Sequence, residues 1–523
     1  MEDDPDRRTV LQRAGIATIA AALPLRTPSP GLAAAAASPA DPAYRTASEL
    51  IAALANRSVS SRELTNAAIA RIEALDPKIN AVVVRDFAAA GDAAKAADEA
   101  LARGERRPLL GLPMTVKEQF NIAGLPTTWG NPKFKEWRPT ADALVVTRLK
   151  AAGAIILGKT NVPLNLADWQ SYNEIYGTTN NPWDLTRTPG GSSGGAAAAL
   201  AAGFTALELG SDIGGSLRAP AHYCGVFAHK PSLDLVPLRG GGPPTTPAVP
   251  SHGDLSVAGP MARSAADLAL EFDVLAGPDE LLDGIGYRLA LPPARRTTLQ
   301  ECRVLLLNAH PLFPTASSVA GALDRLAERL GKAGCTVLRT SPSLPDLARS
   351  TRLYLELLNA VFSVGLSTAT RETISRGVAG LPSGDESLQA YRLHGLSISH
   401  PDWVRANHVR DFLRQLWQKL FRDVDVLLCP PMPTPAFPHD HSFRATRLLD
   451  IDGKQVSYND QIVWASVATL FGLPATVAPI DHSESGLPIG VQIIGGYLQD
   501  RTTIAFAGLI EREFGGFVAP PAL

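Results

Sequence analysis

The chain has 523 residues, of which 45% are hydrophobic and 19% are charged, as is typical of a globular protein with a deep core. Its formal net charge is −2, from 49 basic and 51 acidic residues, and no long run carries a single sign. This balance argues against a nucleic-acid partner, because nucleic-acid binding calls for a basic surface.

The N-terminal segment has the features of an export signal. Arg7 and Arg8 precede an apolar run at 14–23 and then an alanine-rich stretch. That run is too short to span a bilayer, which needs about 20 apolar residues, so no stable membrane insertion is expected. We predict a twin-arginine-like signal peptide at 1–37, with the mature protein periplasmic or extracellular. The alternative is a disordered tail on a cytoplasmic protein.

Helical and strand patterns alternate after this leader. Ser60, followed three residues later by Glu63, predicts a capping box at the start of a helix that extends to Pro77. The next elements predicted, in chain order, are a strand at 79–84, a helix at 87–103, a strand at 113–118, a helix at 141–152, and strands at 154–158 and 204–210. This alternation predicts an α/β layered fold.

The second half begins with a loop and a helical stretch. Residues 238–254 are rich in glycine and proline and predict a loop, while 318–424 is mostly helical in pattern, with a strand near 335–339. Strands at 424–431, 474–480 and 490–496 and a helix at 501–514 are predicted to end the chain. Because similar strands stand on both sides of the helices, we predict one large domain at 38–523, with a helical or variable insertion at about 240–440.

One motif matches a nucleotide-binding pattern, but its residues predict a buried strand. Residues 153–160, GAIILGKT, fit the phosphate-loop pattern. A phosphate loop needs a flexible turn, whereas Ala-Ile-Ile-Leu at the variable positions favours a buried strand. Nucleotide binding is therefore not expected.

Metal and cofactor sites are also not expected. The histidines are dispersed, apart from His439 and His441 in a proline-rich loop, and the cysteines show no metal-binding spacing. The cysteines are Cys224, Cys302, Cys335 and Cys429. Their disulfide state is left open by the sequence.

Two glycine-flanked serine clusters stand close together, GGSSGG at 190–195 and GSDIGGSLR at 210–218. The first fits the nucleophile-elbow pattern of α/β-hydrolases, centred on Ser192 or on Ser193. An elbow also needs an acid and a histidine later in the chain, for which Asp425 and His439 are candidates. An esterase of the α/β-hydrolase type is thus one hypothesis.

The second cluster favours a different nucleophile. Two glycines before Ser216 let backbone N–H groups converge, as an oxyanion hole requires. A serine hydroxyl needs a base, and Lys117 follows an apolar run at the end of a predicted strand. Burial there would lower its pKa and make it neutral enough to accept a proton.

Together these motifs resemble the amidase signature family. The resemblance includes Lys117, both serine clusters and the flanking motifs LGKTNVP, YGTTNNPWD, HYCGVFAHKPS and GLPIGVQIIG, and it extends from about residue 47 to 514. It implies a single large domain with a mixed, twisted sheet covered by helices.

The resemblance also assigns roles. Ser216 would attack and form an acyl-enzyme, and Ser192, following a cis peptide bond, would relay the proton to Lys117. The oxyanion would be held by the backbone N–H groups of Ile213, Gly214, Gly215 and Ser216. Supporting hydrogen bonds and ion pairs would come from Ser193, Asp212 and Arg218.

The expected substrate is a neutral aryl or acyl amide, a small molecule, with esters and carbamates as further substrates. Four aromatic residues either wall an acyl pocket or are ordinary core: Trp129, Trp169, Tyr172 and Tyr176. Rival hypotheses are the A subunit of a tRNA-dependent amidotransferase and a non-catalytic amide-binding protein. A monomer or homodimer without a cofactor is expected.

Overall fold

The computed structural model describes residues 42–521. The signal peptide predicted at 1–37 lies outside the described residues, so its export function stays a prediction. Among the described residues, no helix combines the length and the apolar character needed to cross a membrane.

The helices within 42–521 are α1 (Ala47–Ala55), α2 (Ser61–Ile79), α3 (Phe87–Ala102), α4 (Leu144–Ala151), α5 (Gly194–Ala201), α6 (Arg218–Cys224), α7 (Ala265–Leu275), α8 (Ser317–Lys332), α9 (Leu347–Phe362), α10 (Thr368–Ala379), α11 (Leu388–Leu396), α12 (His400–Asp423), α13 (Val463–Thr469) and α14 (Asp500–Phe514). The strands are β1 (Val82–Arg85), β2 (Pro113–Lys117), β3 (Ile155–Thr160), β4 (Tyr172–Asn173), β5 (Gly177–Thr178), β6 (Leu207–Asp212), β7 (Phe227–Lys230), β8 (Val257–Ala262), β9 (Arg303–Leu306), β10 (Thr336–Leu338), β11 (Val426–Cys429), β12 (Leu448–Ile451), β13 (Lys454–Ser457), β14 (Ala475–His482) and β15 (Pro488–Ile494).

Helix α2 begins as predicted and ends later than predicted. Ser60 Oγ accepts from the N–H of Glu63 at 3.1 Å, and Glu63 accepts from the N–H of Ser60 at 2.8 Å, so the capping box is confirmed. The helix continues through Pro77 to Ile79 and ends where Asn80 adopts the left-handed conformation, with φ of 60°. Asparagine tolerates that conformation at a helix end, so the helix ends at Asn80 rather than at Pro77 as predicted.

Eleven of the strands in the described part form one mixed sheet, in the order β1-β3-β2-β6-β8-β7-β14-β15-β11-β9-β10. Strands β3, β2 and β6 run parallel, as do β11, β9 and β10. The other neighbours pair antiparallel. Helix α7 packs on β8, α14 on β14, and α6 on β14 and β15. The α/β class with a mixed sheet is thereby confirmed.

The sheet brings the two candidate catalytic segments to one edge. Strand β2 pairs in parallel with β6, in a register that places Thr115 opposite Glu208. Parallel strands end at the same edge of a sheet, so Lys117 and Asp212, the last residues of β2 and β6, lie at that edge.

Two other sequence predictions concern the GAIILGKT segment and the helical stretch. The GAIILGKT segment forms β3, as predicted, and Lys159 Nζ donates to the Pro126 carbonyl and to Thr127 Oγ1. Helices α8–α12 lie within 317–423, but the range 240–440 also holds four strands of the main sheet, β8, β9, β10 and β11. The division into a domain and an insertion stays a prediction.

Candidate active site

Lys117 lies between the first serine cluster and β6, with no exposed surface. Its Nζ donates to Ser192 Oγ at 2.7 Å and to Ser211 Oγ at 2.8 Å. Ser211 Oγ in turn donates to Gln119 Oε1. The lysine nitrogen is thus fixed by two hydroxyl groups, one of which is itself held by an amide.

The environment of Lys117 favours a neutral amine. Burial lowers its pKa to about 7, although Asp212 and Glu208 act to raise it. Burial also raises the pKa of Glu208 to about 8, so this carboxyl group is largely protonated at neutral pH. A protonated Glu208 contributes little negative charge, and Lys117 can therefore act as a base near pH 7.

The first serine cluster forms a tightly packed turn before α5. The peptide bond between Gly191 and Ser192 is cis, as the resemblance implies. A Cβ at Gly191 would lie 2.4 Å from the carbonyl oxygen of Asp168, and one at Gly195 would lie 2.3 Å from the backbone nitrogen of Asn161. These glycines are required by close packing.

Ser193 joins the two serine clusters. Its N–H donates to the carbonyl of Ser216 at 3.2 Å, and its hydroxyl donates to the carbonyl of Ser211 at 3.3 Å. Ser216 is 7% exposed and lies in the turn that follows β6. Within the described residues no hydrogen bond joins Ser216 Oγ to Ser192 Oγ, so the clusters meet through Ser193.

The turn at 213–216 supplies candidate oxyanion donors. Among the described residues, the N–H groups of Ile213, Gly214 and Ser216 have no protein acceptor. The structure differs from the prediction at Gly215, whose N–H donates to Asp212 Oδ1 at 2.9 Å. The candidate donors are therefore three rather than four.

Asp212 and Arg218 hold this turn in place. Arg218 donates from Nε to Asp212 Oδ2 at 3.0 Å and from Nη2 to Oδ1 at 2.8 Å, and neither residue is more than 1% exposed. Burial alone would raise the pKa of Asp212, but Arg218 lowers it to about 2. The ionised carboxylate also accepts from the N–H of Leu217 at 3.0 Å.

Two aromatic residues bind the carbonyl groups of the same turn. Trp169 Nε1 donates to the Gly214 carbonyl at 2.9 Å, and the Tyr354 hydroxyl donates to the Ile213 carbonyl at 2.7 Å. Trp169 was expected near the site, whereas Tyr354, on α9, was not. Its contact joins residues 141 positions apart and has no local signal in the sequence.

The other three predicted pocket aromatics lie in different surroundings. Trp129 Nε1 donates to the Gln119 carbonyl at 3.3 Å, and the Tyr176 hydroxyl donates to Glu118 Oε1 at 3.3 Å. Tyr172 stacks on His441, with ring centroids 3.9 Å apart. Of the four, Trp169 alone hydrogen-bonds to the 213–216 turn.

Apolar groups surround the turn. A Cβ built at Gly215 would meet Ala465 Cβ at 3.4 Å and Met432 Sδ at 4.0 Å, and one at Gly214 would meet Ile462 Cδ1 at 3.6 Å. Asp168, which precedes Trp169, pairs with Arg447 at 2.6 Å, and the Arg444 guanidinium lies over the Trp169 ring, 5.2 Å from its centroid. The apolar side chains next to Gly214 and Gly215 suit an uncharged group better than an ionic one.

The nucleophile-elbow hypothesis finds no support in the side-chain contacts. Ser192 Oγ contacts Lys117, and neither ring nitrogen of His439 has a hydrogen-bond partner among the described residues. Asp425 instead pairs with Arg295 and Arg296. These residues do not form a serine, histidine and acid arrangement.

The titratable side chains do not gather into a metal site in the described part of the chain. In residues 42–521, no group of three or more histidine, cysteine, aspartate or glutamate side chains could hold a metal ion. The cysteines named above are buried and unpaired.

Comparison with protein families and with known proteins finds a family model and relatives that match most of the chain. The Amidase family model matches residues 63–504. The A subunit of the glutamyl-tRNA(Gln) amidotransferase of Anaeromyxobacter sp. (strain K) is 33% identical over 493 residues, covering 90% of this chain and 96% of that protein. The fatty-acid amide hydrolase 2-A of Danio rerio is 31% identical over 498 residues, covering 91% of this chain and 90% of that protein.

A solved structure has the same fold over almost the whole chain. It comes from a vestigial protein complex that reveals the evolutionary origins of an s-triazine catabolic enzyme. The similarity has a TM-score of 0.75 and 30% sequence identity, and it covers 91% of this chain and all of that chain.

Proposed function

The chain belongs to the amidase family, and from that premise we propose that it hydrolyses a neutral aryl or acyl amide through an acyl-enzyme on Ser216. The products are a carboxylic acid and an amine or ammonia. The contact of 2.7 Å between Lys117 Nζ and Ser192 Oγ carries this proposal, because a buried lysine with a pKa near 7 is the base that a serine nucleophile needs.

Acylation requires proton transfer along the two serines. Ser216 Oγ attacks the amide carbonyl carbon, its proton passes to Ser192 Oγ, and the Ser192 proton passes to neutral Lys117 Nζ. The hydrogen bond between Ser216 and Ser192 forms when substrate binds, since catalytic hydrogen bonds commonly tighten in the substrate complex.

The same path returns the proton to the leaving group. As the C–N bond breaks, the proton held by Lys117 passes through Ser192 to the departing nitrogen, which leaves as a neutral amine. Water then attacks the acyl carbon, and its proton passes through Ser192 to Lys117. As the bond from the acyl carbon to Ser216 Oγ breaks, that proton returns through Ser192 to Ser216 Oγ and the acid is released. Free N–H groups of the 213–216 turn would stabilise the oxyanion in both halves.

The apolar surroundings of the turn support a neutral acyl group as the substrate portion bound there. Ala465, Met432, Ile462 and Trp169 supply these surroundings. Esters and carbamates present a similar carbonyl group and are proposed as further substrates.

The test is chromophore release from a matched anilide, phenyl ester and aryl carbamate by the purified protein and by Ser216→Ala. Anilide cleavage that disappears in the variant would support the proposal. Ester cleavage alone, surviving in Ser216→Ala, would overturn it.

A second candidate follows from the similarity to the A subunit of an amidotransferase. The chain would then release ammonia from glutamine inside a complex. Glutaminase activity and co-purifying partner proteins would favour this candidate, whereas anilide hydrolysis by the isolated chain would favour the amidase.

Location and assembly are also proposals. Export rests on the leader at 1–37, and the comparisons add no support for it. The cytoplasmic alternative fits the amidotransferase similarity. N-terminal sequencing of the cellular protein would show whether the leader is removed. For the assembly, a monomer or homodimer is proposed.

A further inference from the structure

Tyr354 reaches the oxyanion turn from the helical stretch of the chain. It lies on α9, has no exposed surface, and donates its hydroxyl proton to the Ile213 carbonyl at 2.7 Å. Burial raises the pKa of this phenol far above its ordinary value, so the hydroxyl keeps its proton and stays a donor at any working pH.

Holding this carbonyl also orients the next N–H group. The peptide bond between Ile213 and Gly214 is trans, since among the described residues only the bond between Gly191 and Ser192 is cis. In a planar trans peptide the C=O and N–H groups point in opposite directions. Tyr354 therefore fixes the Gly214 N–H on the edge of the peptide that faces away from the phenol.

The Gly214 N–H has no protein acceptor within the described residues, whereas the following N–H, of Gly215, is taken by Asp212. A Cβ built at Gly214 would lie 3.6 Å from both the Tyr354 hydroxyl and Ile462 Cδ1. The peptide that Tyr354 holds thus presents an N–H that is both oriented and free. The peptide between Gly215 and Ser216 does the same, because its carbonyl accepts from the Ala219 N–H at 2.7 Å.

We propose that Tyr354 is a positioning residue for the oxyanion hole, which aims the Gly214 N–H at the oxyanion by binding the carbonyl of the same peptide. This inference rests on the proposed function. It makes α9, within the helical stretch at 317–423, part of what determines the rate of the reaction.

Tyr354→Phe removes the hydroxyl and keeps the ring. We expect kcat/KM for an anilide to fall by about 10- to 100-fold, less than the loss caused by deleting an oxyanion donor outright, with KM changed by less than about threefold. The affinity for an aryl boronic acid, which forms a tetrahedral adduct on Ser216, should fall in the same proportion. The affinity for the product acid should stay within about threefold.

The matched control is Tyr223→Phe, because Tyr223 is equally buried and its hydroxyl donates to Gln461 Oε1 at 3.4 Å. We expect its kcat/KM and boronate affinity to stay within about threefold of wild type. Tm is measured for both variants to detect loss of folding.

Three results would overturn the inference. Tyr354→Phe could retain wild-type kcat/KM, it could lose boronate and product affinity equally, or it could lose activity only in proportion to a lowered Tm. A wild-type protein that cleaves no amide would instead overturn the proposed function, and the inference with it. An active wild type with an unaffected Tyr354→Phe variant would overturn the inference alone.

Discussion

The Lys117 side-chain nitrogen lies 2.7 Å from Ser192 Oγ, and both side chains are buried. These residues are 75 positions apart. A lysine in water is protonated at neutral pH and cannot accept a proton, so the burial is as important as the distance.

The first prediction concerns pH. Burial lowers the pKa of Lys117 to about 7, so protonation below that pH removes the base. We expect kcat/KM for an anilide to rise tenfold per pH unit below about pH 7 and to level off above it. A pH profile measured with a saturation curve at each pH tests this, and a rate independent of pH between about 5 and 9 would contradict it.

Removal of the same base by substitution should also abolish most of the activity. Lys117→Met should lose at least about 10³-fold in kcat.

The second prediction concerns Ser211. Ser211 Oγ accepts a hydrogen bond from Lys117 at 2.8 Å, and this bond stabilises the ammonium form more than the amine. Ser211→Ala should therefore lower the pKa of Lys117 further and move the acid limb of the pH profile to lower pH, while kcat falls by about tenfold through looser positioning.

The control for this variant is Ser61→Ala, which removes another buried hydroxyl, one that donates to the Gly111 carbonyl at 2.8 Å. Its pH profile should match wild type in shape. An acid limb that stays in place in Ser211→Ala, or moves to higher pH, would show that Ser211 does not tune the lysine.

The third prediction concerns stability. Asp212→Asn leaves Arg218 buried without its counter-charge, and this should lower the free energy of unfolding by about 3–5 kcal/mol. Glu105→Gln breaks the exposed pair with Arg103 and should change it by less than about 1 kcal/mol. Urea unfolding of both variants measures this. Equal changes in the two variants would contradict the prediction.

The fourth prediction concerns Trp169. Trp169→Phe frees the Gly214 carbonyl, but the N–H of the same peptide, that of Gly215, stays bound to Asp212. We expect kcat/KM to fall by only about fivefold, the value of one ordinary hydrogen bond. Trp183→Phe, which frees the Cys224 carbonyl, should leave it near wild type. If kcat/KM fell further in Trp169→Phe than in Tyr354→Phe, the prediction would be contradicted.

The sequence could predict much of the local structure. The Ser60 capping box, the buried strand at GAIILGKT and the α/β alternation depend on neighbouring residues, which the sequence shows directly. The end of α2 could not be placed, because Pro77 signals a stop and the left-handed Asn80 three residues later provides the actual one.

The sequence predicted the site residues that stand inside motifs. It did not predict the residues that reach the site through contacts between distant segments of the chain. Ser211 stands inside the second serine cluster and Gln119 stands two residues after Lys117, but their link to Lys117 depends on the pairing of β2 with β6. Tyr354 reaches its partner only because α9 packs near the turn. The four predicted pocket aromatics lie close together in the sequence, but loops place three of them in surroundings different from those of Trp169. Only Trp169 hydrogen-bonds to the 213–216 turn.

The most direct test of the proposed mechanism is identification of the serine that reacts. The protein is treated with an aryl fluorophosphonate, which phosphonylates an activated serine with loss of fluoride, and the modified peptide is located by mass spectrometry. The mechanism predicts one adduct on Ser216, absent from Ser216→Ala and formed more slowly in Lys117→Met. An adduct on Ser192 or Ser193 that persists in Ser216→Ala would contradict it.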